Sequence, residues 1–402
     1  MALTLRTLTP ADLPELQRVV DTAFLNDPAE ERLERWRDIF EPERHHAVFE
    51  DDEMIGVGGI QSREITLPGA GPQPFAAVTS VGVRPGHRRR GVLTRIMRAQ
   101  LDSIRDEGRE GIAALWASEA AIYPRFGYGL GAEFTRLEVP RGAAFRPGVS
   151  TGDARVREVP RDVAMPAMKV VHEAVRPGRT GWLSRTDGFW DHQFADLERD
   201  RGGLSAFRYV LHPDGYAVYR VKYDWQERGP RNELHLREIA ARTDEAYAAL
   251  YRYLLDVDMI GELKSYTASD DPITHLLEDS RLALRGRADS LWVRVVDVDL
   301  ALTQRRYPSD VDLVLEVTDD FCPWNAGRRR LTVEGGEATV RRVDDEPDVV
   351  LDVQALGAVY LGGTKLAAMA RAQRVREVTH GAVNALSHAF SGDRDPHCPE
   401  VF

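Results

Sequence analysis

Hydrophobic and polar positions alternate in two different rhythms over the first 139 residues, so strands and helices are expected in turn. Leu3-Thr4-Leu5-Arg6 alternates like a strand. Thr9 or Asp12 stands where a cap is needed for a helix whose apolar face is Leu16, Val19, Val20 and Phe24. A second helix is expected around Trp36. Residues 46–50 and 54–60 read as two strands joined by the acidic turn Asp51-Asp52-Glu53. Residues 75–83 are an apolar strand that ends at Arg84-Pro85-Gly86-His87. The run Arg88-Arg89-Arg90-Gly91 then leads into a helix with Leu93, Ile96, Met97, Gln100, Leu101 and Ile104 at helical spacing and Gly108 at its end. Residues 112–116 are a buried strand, and a last strand runs to Val139.

Residues 140–153 hold Pro140, Gly142, Pro147, Gly148 and Gly152, the composition of a linker. Beyond it the pattern repeats weakly. Residues 216–221 resemble the strand 54–60, and residues 234–240 resemble the strand 75–83. Tyr247, Leu250, Tyr251, Leu254 and Leu255 give the next helix its apolar face. From about residue 290 the order changes. Strands are expected at 291–295, 312–317, 330–333 and 338–343, then helices at about 353–360 and 364–389. The resulting division is 1–139, 140–289 and 290–402, a mixed α/β and α+β chain. A length of 402 residues fits two or three domains.

The net charge of -11 argues against a nucleic-acid backbone as the main partner and suits a cationic one. Cys322 and Cys398 sit in no CxxC pair, so they read as reduced thiols of a cytoplasmic protein, with no metal site. Residues 1–10 lack the apolar core of a signal peptide, and no run of about 18 apolar residues predicts a membrane span. Histidines 45, 46, 87, 172 and 192 have no ligand spacing and read as surface or loop positions. Met97 and Met369 fall on apolar helix faces and read as core.

Candidate chemistry concentrates at residues 88–94. A helix start offers unpaired backbone N–H groups and the positive end of the dipole. Gly91 lets a phosphate approach the backbone, and Arg88, Arg89 and Arg90 add charge-assisted donors. Three arginines at that helix end oppose the dipole unless an anion is bound, so an anion site is the better account than a solvated loop. At the corresponding place the second unit has Arg242-Thr243-Asp244-Glu245, whose carboxylates would repel a pyrophosphate.

Strand, Arg-x-x-Gly and helix is the arrangement of GNAT acetyltransferases, and the chain resembles the enhanced intracellular survival (Eis) family over essentially its whole length. The resemblance is carried by residues 81–91 (VGVRPGHRRRG), 117–129 (ASEAAIYPRFGYG) and 212–220 (HPDGYAVYR), and by the final Phe402. It implies tandem GNAT folds, the second degenerate, followed by a sterol-carrier-like α+β domain, assembled as a homohexamer. It implies that acetyl-CoA meets Val81, Gly82, Val83, Arg88, Arg89, Arg90, Gly91, Val92, Leu93, Thr94, Ser118 and Glu119. It makes Tyr123 the general acid and the Phe402 carboxylate the general base. On its residues alone, Tyr123 reads first as a buried tyrosine at the sheet edge, and Phe402 as a frayed tail. By family position Asp27, Trp36, Ser80 and Glu400 line a substrate cavity for an aminoglycoside or similar polycationic amine. Ser80 stands where an aromatic residue is expected, and Pro124 where a glycine is. Two other functions are compatible with the sequence. One is acetylation of protein lysines. The other is lipid carriage by the third domain, with residues 356–363 and Leu366, Met369 and Ala370 lining a tunnel.

Overall fold

The computed structural model describes residues 3–402. Two seven-stranded sheets share one plan. In the first the order is Leu3–Thr7, His45–Glu50, Glu53–Leu67, Gly71–Val83, Ile112–Trp116, Leu291–Val295 and Gly129–Leu130. Neighbours are antiparallel except Gly71–Val83 with Ile112–Trp116, which are parallel and joined through the helix Val92–Glu107. The second sheet runs Arg157–Val159, Arg208–His212, Gly215–Lys222, Asn232–Ala241, Ile260–Thr267, Glu133–Pro140 and Leu284–Asp289. Its one parallel pair is Asn232–Ala241 with Ile260–Thr267, bridged by the helix Asp244–Asp256. The weak repeat seen in the hydrophobic pattern is therefore a repeat of topology.

The strands at the expected domain boundaries exchange sheets. Glu133–Pro140, anticipated as the last strand of the first unit, pairs with Ile260–Thr267 and buries Leu137 and Val139 in the second core. Leu291–Val295, anticipated as the first strand of the third unit, pairs with Ile112–Trp116 in the first sheet. Both strands are apolar, and nothing in alternation along a strand specifies which sheet receives it.

Each face of the first sheet is covered. Val92, Ile96, Met97, Leu101 and Ile104 pack on one face with Val48, Ile55, Ile60 and Val78. On the other, Leu13, Leu16 and Val19 of the helix Leu13–Phe24 meet Ala47, Phe49 and Val57. Thr9 and Asp12 form a capping box on the 3₁₀ turn Pro10–Asp12 just before that helix, while Asp12, at the N-cap position of the helix itself, makes no side-chain cap bond. The rest of that face packs against the third unit, joining Ile65, Leu67, Phe75 and Ala77 to Leu315, Leu356, Val359 and Leu386 in one cluster.

The third unit is a five-stranded sheet, ordered Glu337–Arg342, Gly327–Glu334, Val311–Thr318, Val349–Asp352 and Val375–Glu377. The helix expected over 364–389 is instead Leu366–Arg371 and Ala382–Ala389, with the strand Val375–Glu377 between them. Gln373 takes φ 60°, which breaks the helical run. Met97 is buried, and Met369 is half-buried against this unit's core.

Three histidines expected at the surface are core residues. His45 and His46 lie in the strand His45–Glu50, and His172 stacks on Trp182. Burial pushes the His45 imidazole down to about 4, so it packs as a neutral ring.

Beyond the helix Ala382–Ala389 the tail has no regular structure, yet it is tied down. It crosses the second unit, where His397 N donates to Thr180 O at 3.0 Å. It ends on the first sheet, where Phe402 meets Phe75 edge-on at 6.1 Å.

Candidate active site

The site begins as a fault in the first sheet. Gly71–Val83 and Ile112–Trp116 pair only at Ala76↔Ala113 and Ala77↔Ala114. Just beyond, Thr79 faces Gly59 but Gly82 faces Val57, so the strand carries one extra residue there. Ser80 absorbs the bulge at φ 52°, a left-handed conformation that a serine adopts at some cost. The two strands diverge, and a cavity of about 570 Å³ opens between them.

Eleven of the twelve residues expected around acetyl-CoA line that cavity: Val81, Gly82, Val83, Arg88, Arg89, Gly91, Val92, Leu93, Thr94, Ser118 and Glu119. A β-carbon on Gly82 would stand 3.0 Å from the Ala23 β-carbon, so the glycine lets the helix Leu13–Phe24 close one wall. Gly91 is the N-cap of the helix Val92–Glu107 at φ +80°. A β-carbon there would meet nothing within 4 Å, so the space before the helix is open. No side chain caps this helix, which leaves its first N–H groups to a ligand. Arg88 and Arg89 flank the same opening. The donor set fits a pyrophosphate.

Arg90 is the exception. Its guanidinium turns to the Glu50 carboxylate, with Nη1 donating at 2.9 Å. Only Arg88 and Arg89 of the three arginines face the cavity, because the turn that presents two side chains to one face sends the third to the other.

Tyr123 lines the same cavity from a short 3₁₀ turn, Tyr123–Phe126, closed by Gly127 at φ +85°. Pro124 is well placed there, since a first-turn residue needs no N–H partner. Burial, reinforced by the Glu119 carboxylate and opposed by Arg125, pushes the phenol up to about 12.

The remaining predicted residues are not in that wall. Phe402 is half-buried beside Phe75, on the strand that supplies Val81, Gly82 and Val83. Asp27 is exposed in the turn between the helices Leu13–Phe24 and Glu30–Arg37. Trp36 is half-buried, edge-on to His192 at 6.0 Å. Ser80 is buried with its hydroxyl unpartnered. Glu400 was expected to offer a carboxylate to substrate. It is buried and accepts from Arg63 Nη2 at 2.7 Å and Arg185 Nε at 3.2 Å. Two guanidiniums hold it, so its charge is already neutralised inside the protein.

Ala23, Phe24, His87, Ile122 and Arg125 also line the cavity and were missed. His87, Ile122 and Arg125 lie inside the segments 81–91 and 117–129, which was the available signal, whereas Phe24, placed by spacing on the apolar face, is 44% exposed at the helix end. His87 was read as a surface loop residue. It sits in the 3₁₀ turn Pro85–His87 against the cavity, its Nε2 3.4 Å from Glu50. Among the described residues, no three His, Cys, Asp or Glu side chains gather as a metal-binding group.

Comparison with known proteins agrees with this architecture. Residues 4–131 and 181–295 each match an Acetyltransferase (GNAT) domain family, and residues 298–399 match a Sterol carrier protein domain family. An uncharacterized N-acetyltransferase of Streptomyces avermitilis is 41% identical, covering 93% of each chain. N-acetyltransferase Eis of Mycobacterium tuberculosis is 33% identical, covering 98% of each. The crystal structure of Eis1 from Mycobacterium abscessus superposes with a TM-score of 0.87 at 32% identity, covering 99% of this chain and 100% of the other.

Proposed function

The chain belongs to the Eis family of GNAT N-acetyltransferases and transfers acetyl from acetyl-CoA to an amine, and on that premise we propose that Tyr123 is its general acid and the Phe402 carboxylate its general base. The observation that carries the acid and the coenzyme site is the convergence of Tyr123, Arg88, Arg89 and the open helix start on one cavity; the base assignment rests on the family resemblance, with Phe402 held against Phe75 of the strand that continues to Val81–Val83.

Acetyl-CoA supplies a thioester activated toward amines. Arg88, Arg89 and the N–H groups at residues 92–94 would hold its pyrophosphate. The edge at Val81–Val83, which has lost its parallel neighbour, would offer backbone groups to the pantetheine amides. The acceptor amine must be neutral to attack, so a base takes its proton. The Phe402 carboxylate does this from its place against Phe75, on the same strand. The Tyr123 phenol stays protonated across the neutral range. It donates a hydrogen bond to sulfur as charge builds there, and the proton follows as the C–S bond breaks.

For the acceptor we favour an aminoglycoside or similar polycationic amine. Support comes from Glu119 in the cavity wall, the exposed Asp27 and the net charge of -11. Lipid carriage by the third unit is the weaker reading. Leu356, Leu361 and Leu366 are packed in the core that joins this unit to the first sheet, and Arg305 donates to the carbonyls of Tyr360 and Phe390 in its midst. A homohexamer in the cytoplasm completes the proposal. Both cysteines are free and buried, and among the described residues no helix is long and apolar enough to cross a membrane. Light scattering that finds a stable monomer would overturn the assembly.

Thiol release from acetyl-CoA, measured with a panel of aminoglycosides, polyamines and lysine peptides, tests the acceptor class. Turnover confined to peptides would replace the small polycation by a protein lysine.

A further inference from the structure

The second unit repeats the fault of the first. Asn232–Ala241 and Ile260–Thr267 pair in parallel only from Asn232↔Ile260 to Leu236↔Ser265. Beyond that point they part, as the first unit's strands part after Ala77↔Ala114. A cavity of about 210 Å³ lies between the parted ends, with Arg237, Ala241, Tyr266 and Thr267 in its wall. Its helix start is closed to anions. Thr243 Oγ1 accepts from Ala246 N at 3.1 Å, and Asp244 and Glu245 occupy the first turn.

The chain's own end comes to this opening. Arg394, His397 and Pro399 complete its wall. Arg237 Nη1 donates to Pro399 O at 2.8 Å. Asp395 N donates to Asp270 Oδ2 at 3.1 Å. Gly181, at φ +91°, lies so close that a β-carbon would stand 2.7 Å from His397 O. One residue past Pro399, Glu400 is gripped by Arg63 and Arg185, and Arg185 is itself clamped by Glu238 at 3.0 and 2.7 Å. Two residues then remain, which span at most ~7 Å.

We propose that the second unit's parted strands, the counterpart of the acetyl-CoA cleft, serve as the receptor for the tail segment 394–399, and that Arg237 and Glu400 are positioning residues that set where the Phe402 carboxylate stands on the first sheet. This rests on the reading of Phe402 as the base. It gives the degenerate repeat a function: the opening whose helix start no longer offers free N–H groups to a pyrophosphate holds a peptide. It also gives a partner to the half-buried Arg237 guanidinium, which donates to a tail carbonyl.

Three full-length proteins decide it: R237Q, R237K and the wild type carrying extra residues after Phe402. Two quantities are read for the arginine variants, the rate at which carboxypeptidase A releases Phe402 and the steady-state constants. Losing one charged hydrogen bond should raise Phe402 release by about tenfold in R237Q. It should lower kcat by a similar factor and leave the KM for acetyl-CoA unchanged, since the first cleft is untouched. R237K should recover most of both. Phe402 release no faster than wild type in R237Q would overturn the receptor. Faster release with unchanged kcat would overturn the positioning role. The base assignment fails separately, if the extended protein keeps full activity. If extension abolishes turnover while R237Q changes neither quantity, the base stands and the receptor falls. Should R237Q not fold, D270A removes two exposed ties to the same tail, the bond from Asp395 N and the 3.8 Å contact with the Arg394 guanidinium, and is measured in the same two ways. Unchanged Phe402 release in D270A would then overturn the receptor, and faster release with unchanged kcat the positioning role.

Discussion

Arg63 and Glu400 meet across 337 positions of sequence, Nη2 donating to Oε1 at 2.7 Å with both side chains almost wholly out of solvent. Arg63 comes from the long strand Glu53–Leu67 of the first unit, and Glu400 from the end of the chain. Arg185 and Glu238 extend the pair into the second unit, where Tyr216 Oη also donates to Glu238. All three parts of the chain meet in one neutral charge network.

Glu400→Ala should therefore destabilise far more than a surface substitution. It leaves Arg63 buried without a carboxylate, and breaking a buried pair from one side costs about 3–5 kcal/mol. Urea unfolding measures it. A loss under about 1 kcal/mol, the worth of an exposed pair, would mean the network is wet.

Acid should unfold the protein through the same network. Burial raises the Glu238 carboxyl, but the Arg185 guanidinium outweighs it and holds the group at about 2. A depressed carboxylate contributes stability that is complete above its unfolded value, ~4.3, and is lost as pH falls toward 2. His45 and His397, lowered by burial to about 4 and about 3, add a loss that begins earlier, as pH falls through ~6.5 and the unfolded chain takes up the protons first. Stability should hold above pH 7 and decline in two stages below it. His45→Phe should shrink the upper stage without abolishing it, and an undiminished upper stage would remove His45 from the account.

Arginine substitutions in residues 88–90 should separate. Arg88→Glu with Arg89→Glu should weaken acetyl-CoA binding by a factor of at least ~10, since each removes a charge-assisted donor. Arg90→Gln should leave affinity near wild type, because its partner is Glu50. Calorimetry should count one coenzyme per chain. A second coenzyme per chain would also remove the second unit's cleft as a peptide receptor.

Tyr123→Phe should lower kcat by ~10²–10⁴ with the KM for acetyl-CoA little changed. With the phenol held at about 12, activity should not fall on the alkaline side before pH 10 on its account. An alkaline limb below pH 10 that disappears in Tyr123→Phe would contradict this. Combined with a C-terminal extension, the loss should be less than additive if both groups serve one step.

Local physics made much of this chain readable before any fold was seen. The apolar run of residues 75–83, the glycine and arginines at 88–91 and the apolar stripe Ile96-Met97-Leu101-Ile104 are short-range signals. Each implied its element, and together they implied an anion-binding helix start. The weak repeat was readable for the same reason, as was the contrast between Arg88–Gly91 and Arg242–Glu245. Three-dimensional contact decided the rest. Pairing partners for Glu133–Pro140 and Leu291–Val295 lie far off in the chain, so hydrophobic spacing could not assign either strand to its sheet. Family position put Glu400 in the wall of a substrate cavity, and its pairing was not readable because the two arginines that neutralise it lie 337 and 215 residues away. Arg90 parted from Arg88 and Arg89 because a turn divides neighbouring side chains between two faces, and only its geometry says which faces the cavity. Burial, which keeps Tyr123 protonated and His45 neutral, is a property of packed neighbours, and it appears only when the sheets close around them.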